Sequence, residues 1–592
     1  MYQPGARQLT PRAVVSGMVI GAVMCLSNLY VVLKTGWSLA VTMTACILAF
    51  ALFGGLSRAG LLRTRFTILE NNAMSSVASA AGYMTGGGNM AAVPALFVLT
   101  GALPGTPWLM AWFGVIAALG VCAAIPIKRQ LVNIEKLAFP SGVATAETIR
   151  SLHAMRGDGA GAGSGSARRL GLAGLVGAAV AVLRDLKIPP LPLLPDKIPF
   201  ASLAWGGHAA VKWSVAIEGS LLLVGAGAIM GMRTCASMVA GALLNYLLLA
   251  PWLLFRGIAK APEYKVMVTS TLWPAAAMML AHGLTSFAFE WRSVAKTFSG
   301  LGRLFQGRRA HDPLEQVECP AWWFPAGYLV LGPIVVLLMV HLFAVPWWAA
   351  ILALPLSFVM GIVAARVTGE TDVTPTKALG PATQLVYGAL VPGNLAANVM
   401  GANVTGGVGL HAADLLTDLK SGYLLGASPR QQFQAQLFGV IAGAVAVVPV
   451  FRLLVPTPDV LGSAEFPAPG VQVWAGVSRA LAHGLGGLHP TLRWLALAGA
   501  ALGLVIAIVE KTVPKRIAVW VPSASAFGVG MVIPGSNSIS MFLGAALAWA
   551  IAMSNPKVAE KAVVPVASGL IAGESLMGIV IKALAVLGVA GR

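Results

Sequence analysis

The stretch Ala13–Leu33, AVVSGMVIGAVMCLSNLYVVL, contains no charged residue. Wound as an α-helix, it spans about 30 Å, which is the thickness of a bilayer's hydrocarbon core. The stretch therefore predicts a membrane-spanning helix. Similar apolar runs recur along the chain at Ser38–Ser57, Trp213–Met232, Ala326–Phe343, Phe433–Leu454 and Val563–Leu587.

The composition of the whole chain agrees with this prediction. Hydrophobic residues make up 57% of the 592 positions and charged residues 10%, and the mean hydropathy is +0.80. A soluble fold cannot hide this much apolar surface, and the absence of strict apolar–polar alternation disfavours a transmembrane β-barrel. Arg7 and Arg12 precede the first run without a small-residue cleavage site, so we expect the first helix to be retained.

The charge distribution predicts topology rather than nucleic-acid binding. The net charge is +19, but the basic residues lie in short clusters between apolar runs, as in the cytoplasmic loops of multi-pass proteins. We expect a bacterial inner-membrane protein with both termini in the cytoplasm. The five cysteines are scattered without a C-x-x-C motif, so we expect them to be small core residues rather than a disulfide framework or a zinc site, and the sequence indicates no cofactor.

An internal repeat is suggested by two matches at nearly the same offset. GAIMGMRTCASMVAGALL from Gly227 pairs with GMVIPGSNSISMFLGAAL from Gly530, and GNMAA at Gly88 pairs with GNLAA at Gly393. Repeated halves are a recurrent way to build a transporter. The prediction is an all-α polytopic membrane protein with about 14–16 transmembrane helices, in two tandem homologous halves with discontinuous or re-entrant segments. The predicted chain organisation is a first transmembrane half at 1–290, a cytoplasmic connector at 291–320 and a second transmembrane half at 321–592.

Two segments are too polar or too rich in glycine for lipid-facing helices, namely 66–96 and 392–410. We interpret both as discontinuous helices whose freed backbone groups face a central path. The alternative is that small residues only allow close helix packing. The polar candidates on the two segments are Glu70, Asn71, Asn72, Asn394, Asn398, Asn403 and Thr405.

A stripe of polar residues follows the second segment. His411, Asp414, Asp418 and Ser421 are spaced by three, four and three residues, which places them on one face of a helix. On the residues alone, this stripe fits a proton relay, a docking site for a cationic group or a site for a hard divalent ion. A solvated helix end, with Asp418 and Lys420 marking the membrane surface, remains a further alternative.

Two more carboxylates interrupt apolar runs, Glu218 in VAIEGSLLL and Glu574 in GLIAGESLMG. An ionised carboxylate is costly in hydrocarbon, so each is expected to face the bundle interior and to exchange a proton or to have a partner. Glu574 is the preferred candidate because small neighbours let other backbones approach. A structural carboxylate bonded to a neighbouring helix is the alternative for both.

These motifs resemble the oligopeptide transporter family, bacterial branch, which also contains the yellow-stripe-like metal-chelate transporters. The resemblance is carried by NVTGGVGLHAADLLTDLKSGYLLGASPRQQF from Asn403, together with LENNAMSSVASAAG, KLAFPSGVATAETI, VGMVIPGSNSISMFLGAALAW and ASGLIAGESLMG. It implies secondary active import of small peptides or peptide-like metal chelates, driven by a proton gradient. By matched position it points to Glu70, Asn71, Asn403, Asp414, Asp418, Lys420, Arg430 and Glu574.

The resulting hypothesis is a proton-coupled symporter and not an enzyme. Glu574, or otherwise Asp414 or Glu218, binds the coupling proton, and Lys420 or Arg430 attracts a substrate carboxylate. The two broken segments, His411 and Asp418 contact the substrate. A passive channel and a membrane-embedded enzyme remain as alternatives, although the chain has no H-E-x-x-H or G-x-S-x-G motif. A homo-oligomer is compatible with this hypothesis.

Overall fold

The computed structural model describes residues 7–38, 41–60, 64, 66–154, 162–185, 194–200, 203–205, 207–289, 318–372, 374–484, 486, 488–518 and 520–587. Most of the connector predicted at 291–320 therefore lies outside the described residues. The described part of the chain is helical apart from four short strands, as the all-α prediction requires.

The helices before the connector are α1 (Pro11–Thr35), α2 (Val41–Arg58), α3 (Ile68–Tyr83), α4 (Gly87–Thr100), α5 (Thr106–Lys128), α6 (Pro140–Ala154), α7 (Ala162–Asp185), α8 (Leu221–Met230), α9 (Met232–Leu243), α10 (Ala250–Phe255) and α11 (Tyr264–Phe289). Two π-helical segments, Arg129–Ile134 and Leu244–Leu249, continue α5 and α9.

The helices after the connector are α12 (Trp323–Phe343), α13 (Trp347–Thr371), α14 (Thr376–Leu390), α15 (Leu395–Leu425), α16 (Pro429–Leu454), α17 (Pro469–His483), α18 (Pro490–Thr512), α19 (Lys515–Ala518), α20 (Ala524–Val532), α21 (Gly535–Ser554) and α22 (Pro556–Val586). Short 3-10 turns lie at Ala210–Trp213 and Pro458–Val460.

Helix α1 illustrates how local chemistry sets these boundaries. The Thr10 hydroxyl accepts a hydrogen bond from the Ala13 amide, and Pro11 occupies the first helical position, where its missing N–H is not needed. The helix ends at Gly36, whose φ of 75° is a left-handed conformation that favours glycine. The apolar run predicted at Ala13–Leu33 therefore forms one helix.

Nine helices in the described parts of the chain are long and apolar enough to cross a membrane. The predicted spans at Ala326–Phe343 and Phe433–Leu454 lie within α12 and α16, and Val563–Leu587 lies within α22 except for its last residue. The chain is thus a multi-pass membrane protein. The total of 14 to 16 spans stays a prediction.

One predicted span is wrong. Trp213–Met232 does not form a helix, because Ala216–Glu218 is a strand, β4, that pairs antiparallel with β1 (Lys197–Pro199). A second hairpin joins β2 (Ala204–Trp205) to β3 (His208–Ala209). Helix α8 starts only at Leu221 and ends after ten residues at Gly231, which has a φ of 84°. Apolar composition alone does not separate a buried strand followed by a short helix from a single span.

The two segments predicted to be discontinuous differ from each other. Segment 66–96 is broken, because α3 ends at Tyr83 and α4 starts at Gly87. In segment 392–410 the break lies at the start, before Leu395, and α15 is continuous from there. Helix α15 contains glycines because the backbone of α4 packs directly against it. A Cβ on Gly88 of α4 would lie 2.6 Å from the carbonyl carbon of Gly406 on α15.

The repeat-matched segments from Gly227 and Gly530 pack against each other. A Cβ on Gly227 would lie 1.8 Å from the carbonyl oxygen of Met541, and one on Gly530 would lie 2.0 Å from that of Met238. Met238 and Met541 are themselves matched in the proposed repeat. The contact is therefore reciprocal, as in an interface between two equivalent surfaces.

A second pair of contacts in the same helices repeats this reciprocity. A Cβ on Gly241 would lie 2.0 Å from the carbonyl oxygen of Phe527, and one on Gly544 would lie 1.9 Å from that of Val224. Helices α8 and α9 thus cross α21 and α20 with backbone against backbone. We refer to these four helices as the crossed-helix unit.

Candidate functional site

The predicted polar stripe is buried at the junction of α3, α15 and α16. The side chains of Asp414 and Asp418 on α15 are at most 3% exposed. The Gln436 amide on α16 donates to both, at 2.9 Å to Asp414 Oδ2 and 2.7 Å to Asp418 Oδ2. The Ser79 hydroxyl on α3 donates to Asp414 Oδ1 at 2.6 Å. We call Asp414 and Asp418 the carboxylate pair; their burial is incompatible with a solvated helix end.

The carboxylate pair has no basic partner among the described residues. The nearest basic residue along α15, Lys420, donates instead to the carbonyl of Leu137 at 2.7 Å. Two ionised carboxylates bridged by one neutral amide repel each other, and burial adds a desolvation cost for each. The geometry therefore favours a state in which the pair holds a proton.

Further polar side chains extend the site along α3 and α16. The Ser421 hydroxyl donates to Asn72 Oδ1 at 2.9 Å, and the Gln432 amide donates to the Asp418 carbonyl at 2.8 Å. The following buried atoms have no hydrogen-bond partner among the described residues: Asn71 Oδ1, Asn72 Nδ2, Gln432 Oε1 and Gln436 Oε1. Buried polar groups are normally satisfied, so these atoms are available to water or to a polar solute.

His411 lies one helical turn from Asp414 and is fully buried. Neither of its ring nitrogens has a hydrogen-bond partner within the described part of the structure. Its Cβ packs toward α5, where a Cβ on Gly120 would approach it to 2.8 Å. The imidazole is thus a buried polar group without a structural bond of its own.

The other polar residues of α15 are used to hold helices together. Asn403 donates to the Gly88 carbonyl at 2.8 Å and accepts from the Trp112 indole at 2.7 Å. Thr405 shares a 2.8 Å hydrogen bond with Thr383. These contacts connect α15 to α4, α5 and α14, which fixes the position of the carboxylate pair.

Two predicted asparagines and Glu70 also have structural partners. Asn394 caps α15 by accepting from the Ala397 amide at 2.8 Å, and Asn398 donates to the Gln384 carbonyl at 2.6 Å. Glu70 completes the capping box of α3 and forms an ion pair with Arg12 of α1, at 2.6 Å. All three are fully engaged at helix boundaries or helix contacts.

Glu574 lies in a second buried site at the start of α8. Its carboxylate accepts from Arg184 Nη1, the Ser220 hydroxyl and the Leu222 amide, each at 2.7 Å. The amide of Leu222 belongs to the first turn of α8, where a negative charge is favourable. Unlike the carboxylate pair, Glu574 has a permanent cation as partner.

The remaining predicted residues lie apart from both sites. Glu218 is on strand β4, where its backbone bonds the Ser540 hydroxyl and its Oε2 has no recorded partner in the described structure. The Arg430 guanidinium donates to the Glu318 carbonyl at 2.7 Å, and the Glu318 side chain forms an ion pair with Lys128. Sequence reasoning missed Gln432, Gln436 and Ser79. Gln432 and Gln436 are four residues apart at the start of an apolar run, and this spacing could have indicated a polar helix face.

No group of three or more histidine, cysteine, aspartate or glutamate residues suited to a metal ion occurs within the described ranges. All five cysteines are free and buried, which agrees with their prediction as core residues.

Known membrane transporters are similar to this chain over nearly its whole length. The family model described as "OPT oligopeptide transporter protein" matches residues 8–585. The iron-phytosiderophore transporter yellow stripe 1 of Zea mays is 25% identical, over 97% of this chain and 90% of its own length. The metal-nicotianamine transporter YSL2 of Arabidopsis thaliana is 24% identical over 97% and 92%.

A putative oligopeptide transporter of Saccharomyces cerevisiae, YGL114W, is 24% identical over 98% of this chain and 96% of its own length. These proteins are transporters rather than enzymes, which removes the membrane-embedded enzyme from consideration. With a family match across nearly the whole sequence, the chain belongs to the OPT oligopeptide transporter family.

Proposed function

We propose that this chain is a proton-coupled secondary transporter that imports peptide-like metal chelates or small peptides across a bacterial inner membrane. The observation that carries the proposal is the carboxylate pair, two buried acids joined by Gln436 without a basic partner among the described residues. A site of this kind gains and loses a proton without losing a structural ion pair.

Asp414 and Asp418 are our first candidates for the coupling site. Glu574 ranks below them, because it accepts from the Arg184 guanidinium at 2.7 Å, and a proton on the carboxylate would remove one of the two ion pairs of this buried cation, whose other partner is Asp185. Glu218 ranks last, since it lies on the strand beside the crossed-helix unit rather than among the polar helices.

The polar face of α15 supports a path for the solute. The polar residues from Asn403 to Ser421 cover about 27 Å of helix, close to the thickness of the hydrocarbon core. Asn71, Asn72 and His411 offer amide and imidazole groups beside this face. Such groups suit the carboxylate, amide and amine groups of a peptide or of an amino-acid-derived chelator. Lys420 and Arg430 supply positive charge at the end of α15 that attracts an anionic solute.

Two of the similar proteins are named as transporters of metal chelates, which favours a chelate over a free peptide as the solute. Iron-phytosiderophore and metal-nicotianamine transporters are both similar to this chain over nearly its whole length. The metal in this proposal is cargo carried by its chelator, and the chelator's polar groups contact the protein.

We also propose that residues 1–290 and 321–592 are homologous halves of the same orientation, with both termini in the cytoplasm. The reciprocal glycine contacts of the crossed-helix unit support this arrangement. The basic clusters between apolar runs support the orientation.

The test is uptake by purified protein in liposomes, with and without an inward proton gradient. The solutes are iron and nickel complexes of nicotianamine and a mixture of di- to hexapeptides. Gradient-driven accumulation that is lost in Asp414→Asn and Asp418→Asn is the expected result. Asp459→Asn is the matched control, because Asp459 is an exposed acid on a loop.

A passive channel gives a different outcome in the same experiment. It equilibrates the solute at a rate that does not depend on the proton gradient, and it never accumulates the solute. Wild-type flux of this kind would refute the coupled transporter, and unimpaired accumulation in both aspartate variants would refute the assignment of the coupling site.

A further inference from the structure

An apolar groove of about 570 Å³ opens on the surface between α11 and α18. It is far from the carboxylate pair in the fold, since none of its lining residues belongs to α3, α15 or α16. Its walls come from the second π-helical segment and from α10, α11, α18 and α20. The lining side chains include Leu248, Trp252, Met278, Leu502, Phe527 and Met531.

The floor of the groove is formed by helix backbone. A Cβ on Gly499 would lie 2.2 Å from the carbonyl oxygen of Pro274, and one on Gly503 would lie 2.2 Å from that of Met278. Helices α11 and α18 therefore touch directly beneath the groove. Gly499, Pro274 and Met278 also line the groove, so this close helix contact forms its floor.

One end of the groove is marked by a tryptophan and an arginine. The Trp252 side chain lines the groove and is 37% exposed, and the Arg256 guanidinium lies 5.3 Å from its ring centre. Helix α10 ends at Phe255, and the following loop carries the basic residues Arg256 and Lys260 with the single acid Glu263. Tryptophan and arginine at a helix end are typical of the membrane–water interface.

Arg256 has no protein partner for its charge in the described structure. It is exposed, and its recorded contact there is the indole of Trp252, with neither a hydrogen bond nor an ion pair. A guanidinium presents several N–H donors in a plane that matches the oxygens of a phosphate. The groove is thus apolar along its length and cationic at the end that reaches the interface.

We propose that this groove is a binding site for one phospholipid, with an acyl chain in the groove and the phosphate on Arg256. A single amphiphile accounts for both the apolar walls and the unpaired cation at one end. A second copy of the chain would bury the apolar walls, but with a net charge of +19 it is a poorer source of an anion for the guanidinium than a phospholipid. Since the walls come from segments on both sides of the connector, the lipid holds α10 and α11 against α18 and α20.

The groove shares no lining residue with the helices of the carboxylate pair, so this proposal stands or falls independently of the proposed function. The experiment is native mass spectrometry of the full-length protein, titrated with phosphatidylglycerol or with phosphatidylcholine. Thermal unfolding in detergent is measured in parallel, to confirm folding and to report stabilisation by each lipid.

The test variants are Arg256→Gln and Trp252→Ala. The matched controls are Arg168→Gln, an exposed arginine on α7, and Trp549→Ala, which is 55% exposed on α21. We expect Arg256→Gln to weaken the tightest phosphatidylglycerol site by about tenfold, because one charge-assisted contact is lost. Trp252→Ala is expected to weaken binding of both lipids, and the two controls to leave binding unchanged.

Three results would overturn the proposal. The first is equal lipid affinity in wild type, test variants and controls. The second is binding of inorganic phosphate alone that matches phosphatidylglycerol and depends equally on Arg256, since the groove would then contribute nothing. The third is a dimer that Trp252→Ala dissociates, which would assign the groove to a second copy of the chain.

Discussion

The carboxylate pair and the Glu574 site both bury acidic groups, yet they differ in what balances the charge. Glu574 has the Arg184 guanidinium, a hydroxyl and a helix N-terminus around it. Asp414 and Asp418 have a serine and one shared glutamine amide. The first arrangement pairs the acid with a fixed positive charge, whereas the second leaves room for a proton. Burial alone therefore does not identify a proton-coupling residue. The hydrogen-bond and ion-pair partners of the acid distinguish a coupling site from a structural one.

The largest effect on stability is expected at the site with the cation. Glu574→Gln removes the ion pair that Arg184 makes across helices but leaves its pair with the adjacent Asp185. We expect a loss of about 3 kcal/mol in the free energy of unfolding, at the lower end for a broken buried pair. Thermal unfolding in detergent measures this loss. The double variant Arg184→Met/Glu574→Leu removes both charges and should recover most of it. If Glu574→Gln unfolds like wild type, the distinction between the two sites does not hold.

Removing the shared amide is expected to have the next largest effect. Gln436→Leu leaves both carboxylates without their common donor, at a cost of about 1–3 kcal/mol. Gln436 favours the ionised carboxylates, so the variant should be least stable at high pH and approach wild type as the pH falls. Unfolding curves across a pH series test this, with Gln431→Leu as the neighbouring control. A pH-independent loss would contradict the proton-holding pair.

A helix cap provides a reference for a purely structural residue. Asn394→Ala removes the cap of α15 and should cost about 1 kcal/mol. Transport by this variant, per folded molecule, is expected to keep its response to the proton gradient. If the response were lost, Asn394 would again be a candidate substrate-binding residue.

The smallest effect on stability is expected at the carboxylate pair itself. Asp414→Asn keeps the shape and removes a costly buried charge, so the free energy of unfolding should change by less than about 1 kcal/mol. Downhill flux should persist while accumulation against a solute gradient is lost. Paired liposome assays of downhill and gradient-driven uptake measure both. A strongly destabilised Asp414→Asn would show that the pair is structural, as Glu574 is.

Much of the fold could be predicted from local sequence. Apolar runs of the right length predicted α1, α12, α16 and α22, because membrane thickness fixes helix length. The His411–Ser421 spacing predicted four polar residues on one helix face, and all four are buried in the structure. The strand at Ala216–Glu218 could not be predicted in this way, since its pairing with β1 depends on residues outside the apolar run.

The partners of the buried acids could not be predicted from the sequence. Gln436 reaches Asp414 and Asp418 from the next helix, and Arg184 reaches Glu574 from a helix hundreds of positions earlier in the chain. Without these tertiary contacts Glu574 was preferred over Asp414, although its guanidinium partner favours a structural role. Side-chain periodicity specifies which residues share a face, but not what meets that face.

The crossed-helix unit has a consequence for the movements that transport requires. At Gly227, Gly241, Gly530 and Gly544 one backbone lies directly on another, with no side chain that could change rotamer to let the helices slide. We therefore expect α8, α9, α20 and α21 to keep their relative positions and to move as one rigid body in any conformational change of the protein. A displacement that opens the proposed transport path is expected between this unit and its neighbours rather than within it.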